Sequence, residues 1–159
     1  MPSSYARMAG IASLLGRILP VGNPVGPALL VIRGFGTLFA AAFLADVGPV
    51  RTTSGLLHVL GFVGRSIAFG IGLFFIAGRM RYDGDWQALA PYTVATALAS
   101  LAILGLFVGL GPRYAGDTSA PLSSVGGLIQ RLSTLTAYTW HLVAGAWLLR
   151  GPAPSPARP

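Results

Sequence analysis

The sequence predicts an all-α integral membrane protein with four transmembrane helices, preceded by a short amphipathic N-terminal helix. Hydrophobic residues make up 53% of the chain and charged residues only 9%, whereas soluble domains carry about 25% charged residues. Four apolar stretches reach about 20 residues, the length at which a helix crosses a bilayer. Pro, Gly and polar residues separate these stretches. The bilayer is therefore the expected solvent.

The polar breaks divide the chain into three regions. Residues 1–26 form an interfacial amphipathic segment and a Pro/Gly linker, because apolar side chains recur there at helical spacing between arginines. Residues 27–150 form the transmembrane domain, and residues 151–159 form a Pro-rich tail without an apolar face. Within the domain, the predicted spans are 27–46, 54–78, 86–110 and 123–149.

The residue inventory excludes several kinds of chemistry. The chain has no cysteine, which removes disulfides, thiolate metal sites and cysteine nucleophiles. Its four acids are all aspartate and its eleven cations are all arginine, so paired-carboxylate catalysis is not expected. The arginines are scattered between apolar runs rather than clustered, which argues against nucleic-acid binding. We therefore expect no enzymatic activity and no nucleic-acid partner.

The arginines also predict the orientation. An even number of spans places both termini and the middle loop on one side of the membrane, and cytoplasmic loops carry excess positive charge. A multi-pass protein with both termini in the cytoplasm is the expected topology. The arginines on that side are Arg7, Arg17, Arg79, Arg81, Arg150 and Arg158, against Arg51 and Arg113 on the other.

Two arginines fall at different depths in the first half of the domain. Arg33 lies about 9 Å from the cytoplasmic end of its predicted helix, so its side chain is expected to extend to the interface. Arg65 lies about 16 Å from the outer end of its helix, close to the midplane, where no acid of the sequence reaches. Arg65 therefore needs backbone carbonyls, water, a lipid or an anionic ligand as its partner.

A polar cluster is expected near the outer surface. Arg131 lies about 12 Å from the outer end of the last helix and could meet Asp46, which closes the first helix on the same side. His58 and Gln130 lie nearby. Such a cluster either stabilises the fold or forms a binding site, and structural clusters are the commoner case because buried polar groups normally find partners.

Two helix faces are candidates for binding an amphiphile with an anionic head. On the second helix, His58, Phe62, Arg65 and Phe69 share one face. On the last helix, polar side chains recur at a similar spacing. The candidate ligand-binding residues are Arg33, Arg65, Arg131, His58, Gln130, Asp46 and Tyr138.

The two histidines do not predict a metal site. His58 and His141 would lie about 20 Å apart along the membrane normal, too far apart to ligate one haem iron. Each remains a weak single-ligand candidate. We expect no resident cofactor other than a possible bound lipid, unless an assembly supplies a pigment or haem.

Three segments resemble a known bacterial membrane family. They are VRTTSGLLHVLGFVG after Asp46, then RMRYDGDWQALAPYTVATAL, then GGLIQRLSTLTAYTW, and they resemble domain of unknown function 998. The resemblance implies a six-helix bundle in the bacterial cytoplasmic (inner) membrane, of which this chain lacks the first two helices, and it implies no activity. The matching positions are Asp46, Gly55, Leu57, His58, Trp86, Gly127, Leu128, Gln130 and Arg131.

Two main hypotheses for the function follow. Loss of two helices would expose faces that formerly packed, which favours an accessory or structural subunit covered by other membrane subunits. Alternatively, the protein binds or carries an anionic amphiphile through Arg65 and Arg131. A third hypothesis is a single-histidine contact to a pigment or haem within an assembly. The expected partners are the lipid bilayer and other membrane subunits.

Overall fold

A computed structural model describes residues 24–46, 52–114 and 125–150. Within these ranges all the regular structure is helical, which confirms the predicted all-α class for the described part of the chain. A short 3-10 helix, Gln87–Leu89, precedes the third long helix. The four α-helices are α1 (Val25–Ala42), α2 (Thr53–Met80), α3 (Ala90–Tyr114) and α4 (Val125–Arg150).

Three of the helical segments are long and apolar enough to cross a membrane. They are Val25–Ala42, Thr53–Met80 and Gln87–Leu110. The helix Val125–Arg150 has 26 residues, enough to span about 30 Å, but it is less apolar and falls outside this group. Four spans therefore stay a prediction. The predicted N-terminal amphipathic helix and the Pro-rich tail lie outside the described residues.

Local sequence explains where α1 and α2 begin. Pro24 precedes α1, and Pro27 lies in its first turn, where the backbone N–H that proline lacks would have no intrahelical acceptor. The sequence offers Thr52, Thr53 and Ser54 as N-cap candidates for α2, and Thr52 is the N-cap. Its hydroxyl accepts a hydrogen bond from the backbone N–H of Gly55.

Small residues bring α1 and α2 close together. A Cβ added at Gly36 would lie 2.9 Å from the Cβ of Arg65, and one added at Gly61 would lie 2.9 Å from the backbone nitrogen of Ala40. Such contacts are typical of membrane helices, whose association depends on close packing. Gly36 and Ala40, four residues apart on α1, therefore both lie where the two backbones approach.

The helices pack in chain order, with α2 against α1, α3 against α2 and α4 against α3. The core is built around Phe69 and Leu73 of α2, with Ala97 of α3 and Trp140 of α4 packed against them. Only two residues of α1 are buried, Gly26 and Ala40. Arg33 of α1 and His141 of α4 both lie against Phe69 of α2.

Candidate functional site

Hydrogen bonds connect the polar residues between α1 and α2. The carboxylate of Asp46 accepts from the backbone N–H of Thr52 at 3.1 Å and from its hydroxyl at 2.5 Å. Gly55 is buried against this carboxylate, and a Cβ at position 55 would overlap it. Asp46 therefore fixes the residue that caps α2, and Gly55 leaves room for the carboxylate.

Two further side chains of α2 reach back to the end of α1. The hydroxyl of Ser54 accepts from the backbone N–H of Leu44 at 3.0 Å and donates to its carbonyl at 3.2 Å. Nδ1 of His58 lies 2.8 Å from the carbonyl of Ala40 and 3.0 Å from that of Phe43. A carbonyl oxygen can only accept a hydrogen bond, so Nδ1 of the imidazole carries the hydrogen. His58 thus satisfies carbonyls that the end of α1 leaves without an intrahelical partner.

We refer to Asp46, Thr52, Ser54, Gly55 and His58 as the α1–α2 joint. These residues include three of the positions on which the family resemblance rests. The hydrogen bonds given above connect these residues to one another or to the backbone of α1 and α2. The arrangement connects two helices, and it accounts for the acid and the Gly-Leu-Leu-His segment without invoking a ligand.

The predicted ion pair between Asp46 and Arg131 is not formed among the described residues. Thr52 offers its donors to Asp46 within the same turn, and Arg131 lies on an exposed face of α4. Gln130 is half-buried, and its backbone carbonyl accepts from the hydroxyl of Thr134 at 2.9 Å. Asp46 and His58 were predicted to lie near Arg131, but the structure places both in the α1–α2 joint.

The other two intramembrane arginines lie against aromatic rings. Cζ of Arg33 is 4.6 Å from the ring centroid of Phe69. Cζ of Arg65 is 5.1 Å from the ring centroid of Phe62, and its Nη2 donates to the Thr134 hydroxyl at 3.2 Å. The prediction that Arg33 extends to the interface is wrong, because the face of Phe69 on the neighbouring helix attracts its cation.

Side chains of α4 complete this group. Arg33 and Arg65 lie near Tyr138, and Arg33 also lies near His141. Gly36, one turn after Arg33, packs against the Cβ of Arg65. The ring of His141 stacks on Phe69, with centroids 5.8 Å apart and an interplanar angle of 13°. We call Arg33, Arg65, Tyr138 and His141, with the rings of Phe62 and Phe69, the arginine cluster.

The charge of the arginine cluster is not balanced within the described part of the chain. No carboxylate of residues 24–46, 52–114 or 125–150 forms an ion pair with Arg33 or Arg65. Asp46 belongs to the joint, and Asp85 bonds through its backbone N–H to the Asp83 carboxylate beyond the end of α2. The contact with a ring involves the charge of the guanidinium, whereas its N–H groups donate hydrogen bonds in the guanidinium plane.

The sequence predicted part of this cluster. It placed Arg65, Phe62 and Phe69 on one face of α2, and Tyr138 on the matching face of α4, and the structure brings these faces together. The contact between Arg33 and Phe69 was missed, because it depends on which face of α1 meets α2. The sequence feature that indicates this contact is Gly36, one turn after Arg33. Gly36 marks the side of α1 on which the backbones of α1 and α2 approach each other.

The histidines are engaged through their Nδ1 atoms. Nδ1 of His141 lies 2.6 Å from the carbonyl of Ala137, and that of His58 serves the joint. Across the described ranges no three His, Asp or Glu side chains group together as metal ligands would. The weak single-ligand role considered for either histidine stays a prediction.

Comparison with known proteins identifies a family. A family model described as "Protein of unknown function (DUF998)" matches residues 8–147. This match begins well before Asp46, where the motif resemblance starts. Searches among curated proteins and among solved structures give no match. The family model covers most of the sequence, so this chain belongs to the DUF998 family of proteins of unknown function.

Proposed function

We propose that this protein binds an anionic amphiphile at the arginine cluster and is a binding protein rather than an enzyme. One observation carries the proposal. Two guanidinium groups, Arg33 and Arg65, lie together on adjacent apolar helices, and no described carboxylate pairs with either. A cation at the centre of a membrane helix costs about 2.5–3.5 kcal/mol on insertion scales. An anion bound between the two arginines would offset that cost.

The depth of the two arginines supports an amphiphile rather than a small soluble anion. Arg33 is about 12 Å along α1 from Val25, and Arg65 is about 18 Å along α2 from Thr53, at 1.5 Å per residue. Both positions lie deep in a hydrocarbon layer about 30 Å thick. Tyr138 and His141 are exposed on the α4 side of the cluster. A ligand with an apolar tail would reach the cluster laterally from the bilayer.

The accessory-subunit hypothesis rests on the exposed faces of α1 and α4. Phe35 and Leu38 of α1 and Leu142 of α4 are each more than half exposed. Lipid tails cover such side chains as well as a protein partner does. Exposed apolar faces therefore do not distinguish a subunit from a free membrane protein. The two arginines favour an anionic partner in both cases, which is a carboxylate of another subunit in the first and an amphiphile in the second.

Native mass spectrometry after purification in mild detergent tests the proposal. We expect the wild-type protein to retain an anionic lipid and the Arg65→Gln variant to lose it. Arg131→Gln is the matched control, because Arg131 is exposed and lies outside the cluster. Equal retention of anionic lipid by the two variants would contradict the proposal. A stoichiometric protein that purifies with both variants would instead favour the accessory subunit.

We also propose that α4 spans the bacterial inner membrane, with both termini in the cytoplasm. The support is the length of α4 and the six-to-two distribution of arginines. Reporter fusions after Gly84 and at the C-terminus should report the cytoplasm, and a fusion after Gly116 should report the opposite side. Agreement between the C-terminal and Gly116 fusions would show that α4 does not cross.

A further inference from the structure

We infer that the headgroup bound at the arginine cluster is a dianionic phosphate monoester rather than a monoanion. This inference rests on the proposed function and names the ligand class. Its starting point is the number of cations. Arg33 and Arg65 belong to the same contact between α1 and α2, because Gly36, one turn after Arg33, packs against the Cα and Cβ of Arg65. A monoanion would therefore leave one positive charge uncompensated within the apolar layer, where such a charge is most unfavourable.

The contacts of the two guanidinium groups are compatible with a tetrahedral anion. The Cζ atom of each lies over a phenylalanine ring, Arg33 over Phe69 and Arg65 over Phe62. A guanidinium donates its N–H groups in its own plane, and these donors bind phosphate oxygens through paired hydrogen bonds. Among the described residues the Arg33 guanidinium makes no hydrogen bond, so no described acceptor competes with a ligand for its donors.

Thr134 fixes the direction of Arg65. Its hydroxyl hydrogen is donated to the carbonyl of Gln130 at 2.9 Å, so its oxygen accepts from Nη2 of Arg65 at 3.2 Å. One N–H is thereby used and the others are held in place. Thr134 is a positioning residue for Arg65, while the exposed phenol of Tyr138, coupled to both arginines, adds an O–H donor beside them.

Three single-chain amphiphiles of sixteen carbons each distinguish the effect of headgroup charge from that of headgroup shape. Hexadecyl phosphate is mostly dianionic at pH 8, since the second pKa of a phosphate monoester is about 6. Hexadecyl sulfate has the same tetrahedral head and one negative charge, and palmitate has a planar head and one charge. Affinities are measured at pH 8 by microscale thermophoresis on the detergent-solubilised full chain.

We expect hexadecyl phosphate to bind about tenfold to a hundredfold more tightly than hexadecyl sulfate, because it engages a second charge-assisted interaction. Arg33→Gln should remove this preference, leaving phosphate at the level of sulfate, and Arg131→Gln should keep it. At pH 5 the phosphate carries one charge and the preference should be lost. Hexadecyl sulfate carries one negative charge at both pH values, so it controls for changes in the charge of the protein itself.

The outcomes separate this inference from the proposed function. If sulfate and phosphate bind equally at pH 8 and both need Arg65, the site binds anionic amphiphiles but does not select a dianion, and the inference is overturned. If none of the three probes binds in an Arg65-dependent way, the proposed function fails as well. A preference for phosphate that Arg33→Gln leaves intact would show that the second charge does not arise from Arg33.

Discussion

The α1–α2 joint and the arginine cluster use polar groups in opposite ways. In the joint, Asp46, Ser54 and His58 each bond to a described donor or acceptor in the turn between two helices. In the cluster, Arg33 and Arg65 lie over aromatic rings, and no carboxylate of the described residues pairs with either. Satisfied polar groups stabilise a fold, whereas unsatisfied ones at depth indicate that the partner comes from outside.

This comparison separates motif residues from functional residues. The acid, the glycine and the histidine that make the sequence resemble its family belong to the joint, where they specify how α1 meets α2. The cluster depends on residues that no motif singled out together. Substitutions in the joint should therefore change stability, and substitutions in the cluster should change ligand binding.

The largest effect on stability is expected at Gly55. Gly55→Ala places a methyl group where the Asp46 carboxylate lies, and such overpacking costs about 1–3 kcal/mol. Gly64→Ala on the same helix is the control, because a Cβ there meets nothing within 4 Å. It should be neutral or stabilising by about 0.5–1 kcal/mol. Reversible unfolding in mixed micelles, followed by circular dichroism, measures both; equal stabilities would contradict the assigned role of Gly55.

Removal of the imidazole at position 58 should have the next largest effect. His58→Ala leaves the carbonyls of Ala40 and Phe43 without their side-chain donor, and a lost buried hydrogen bond costs about 1–2 kcal/mol. His141→Ala is a matched control, since His141 bonds a carbonyl within its own helix. The same unfolding assay should show a smaller loss for His141→Ala. A larger loss for that control would place the structural histidine in α4 instead.

Gly36→Ala should weaken ligand binding moderately, because the contact between α1 and α2 positions the arginine cluster. The added Cβ would lie 2.9 Å from the Cβ of Arg65, so α1 must shift and carry Arg33 away from Phe69. We expect hexadecyl phosphate affinity to fall about tenfold, the loss of roughly 1.4 kcal/mol. Gly34→Ala adds a methyl group to the same helix in open space and should bind normally. Thermophoresis on both variants decides whether the α1–α2 approach positions the cluster.

The smallest effect is expected at Trp147, outside both regions. Nε1 of Trp147 donates to the carbonyl of Asp85 at 2.8 Å and ties α4 to the segment after α2. Trp147→Phe removes this bond but keeps an aromatic ring for Arg150 to stack on. A loss of about 0.5–1.5 kcal/mol, with unchanged ligand affinity, is the expected result. A change in affinity would show that the cluster senses this end of α4.

The fold was largely predictable and the cluster only in part. Composition and span length identify the helices, and Thr52 marks the start of α2 because its cap is local in sequence. Side-chain partners across helices depend on helix rotation, which periodicity leaves open. That is why Asp46 was expected to meet Arg131 but contacts Thr52, and why Arg33 was expected at the interface but contacts Phe69.

The difference between joint and cluster is tested most directly by ligand-induced thermal stabilisation. Hexadecyl phosphate at about 100 times its dissociation constant should stabilise the wild type by about 2.7 kcal/mol. We expect His58→Ala to unfold at a lower temperature yet retain this stabilisation, as Arg131→Gln should. Arg65→Gln should lose the stabilisation while its unfolding temperature without ligand changes less than that of His58→Ala. The account is contradicted if Arg65→Gln keeps the ligand-induced stabilisation and His58→Ala loses it.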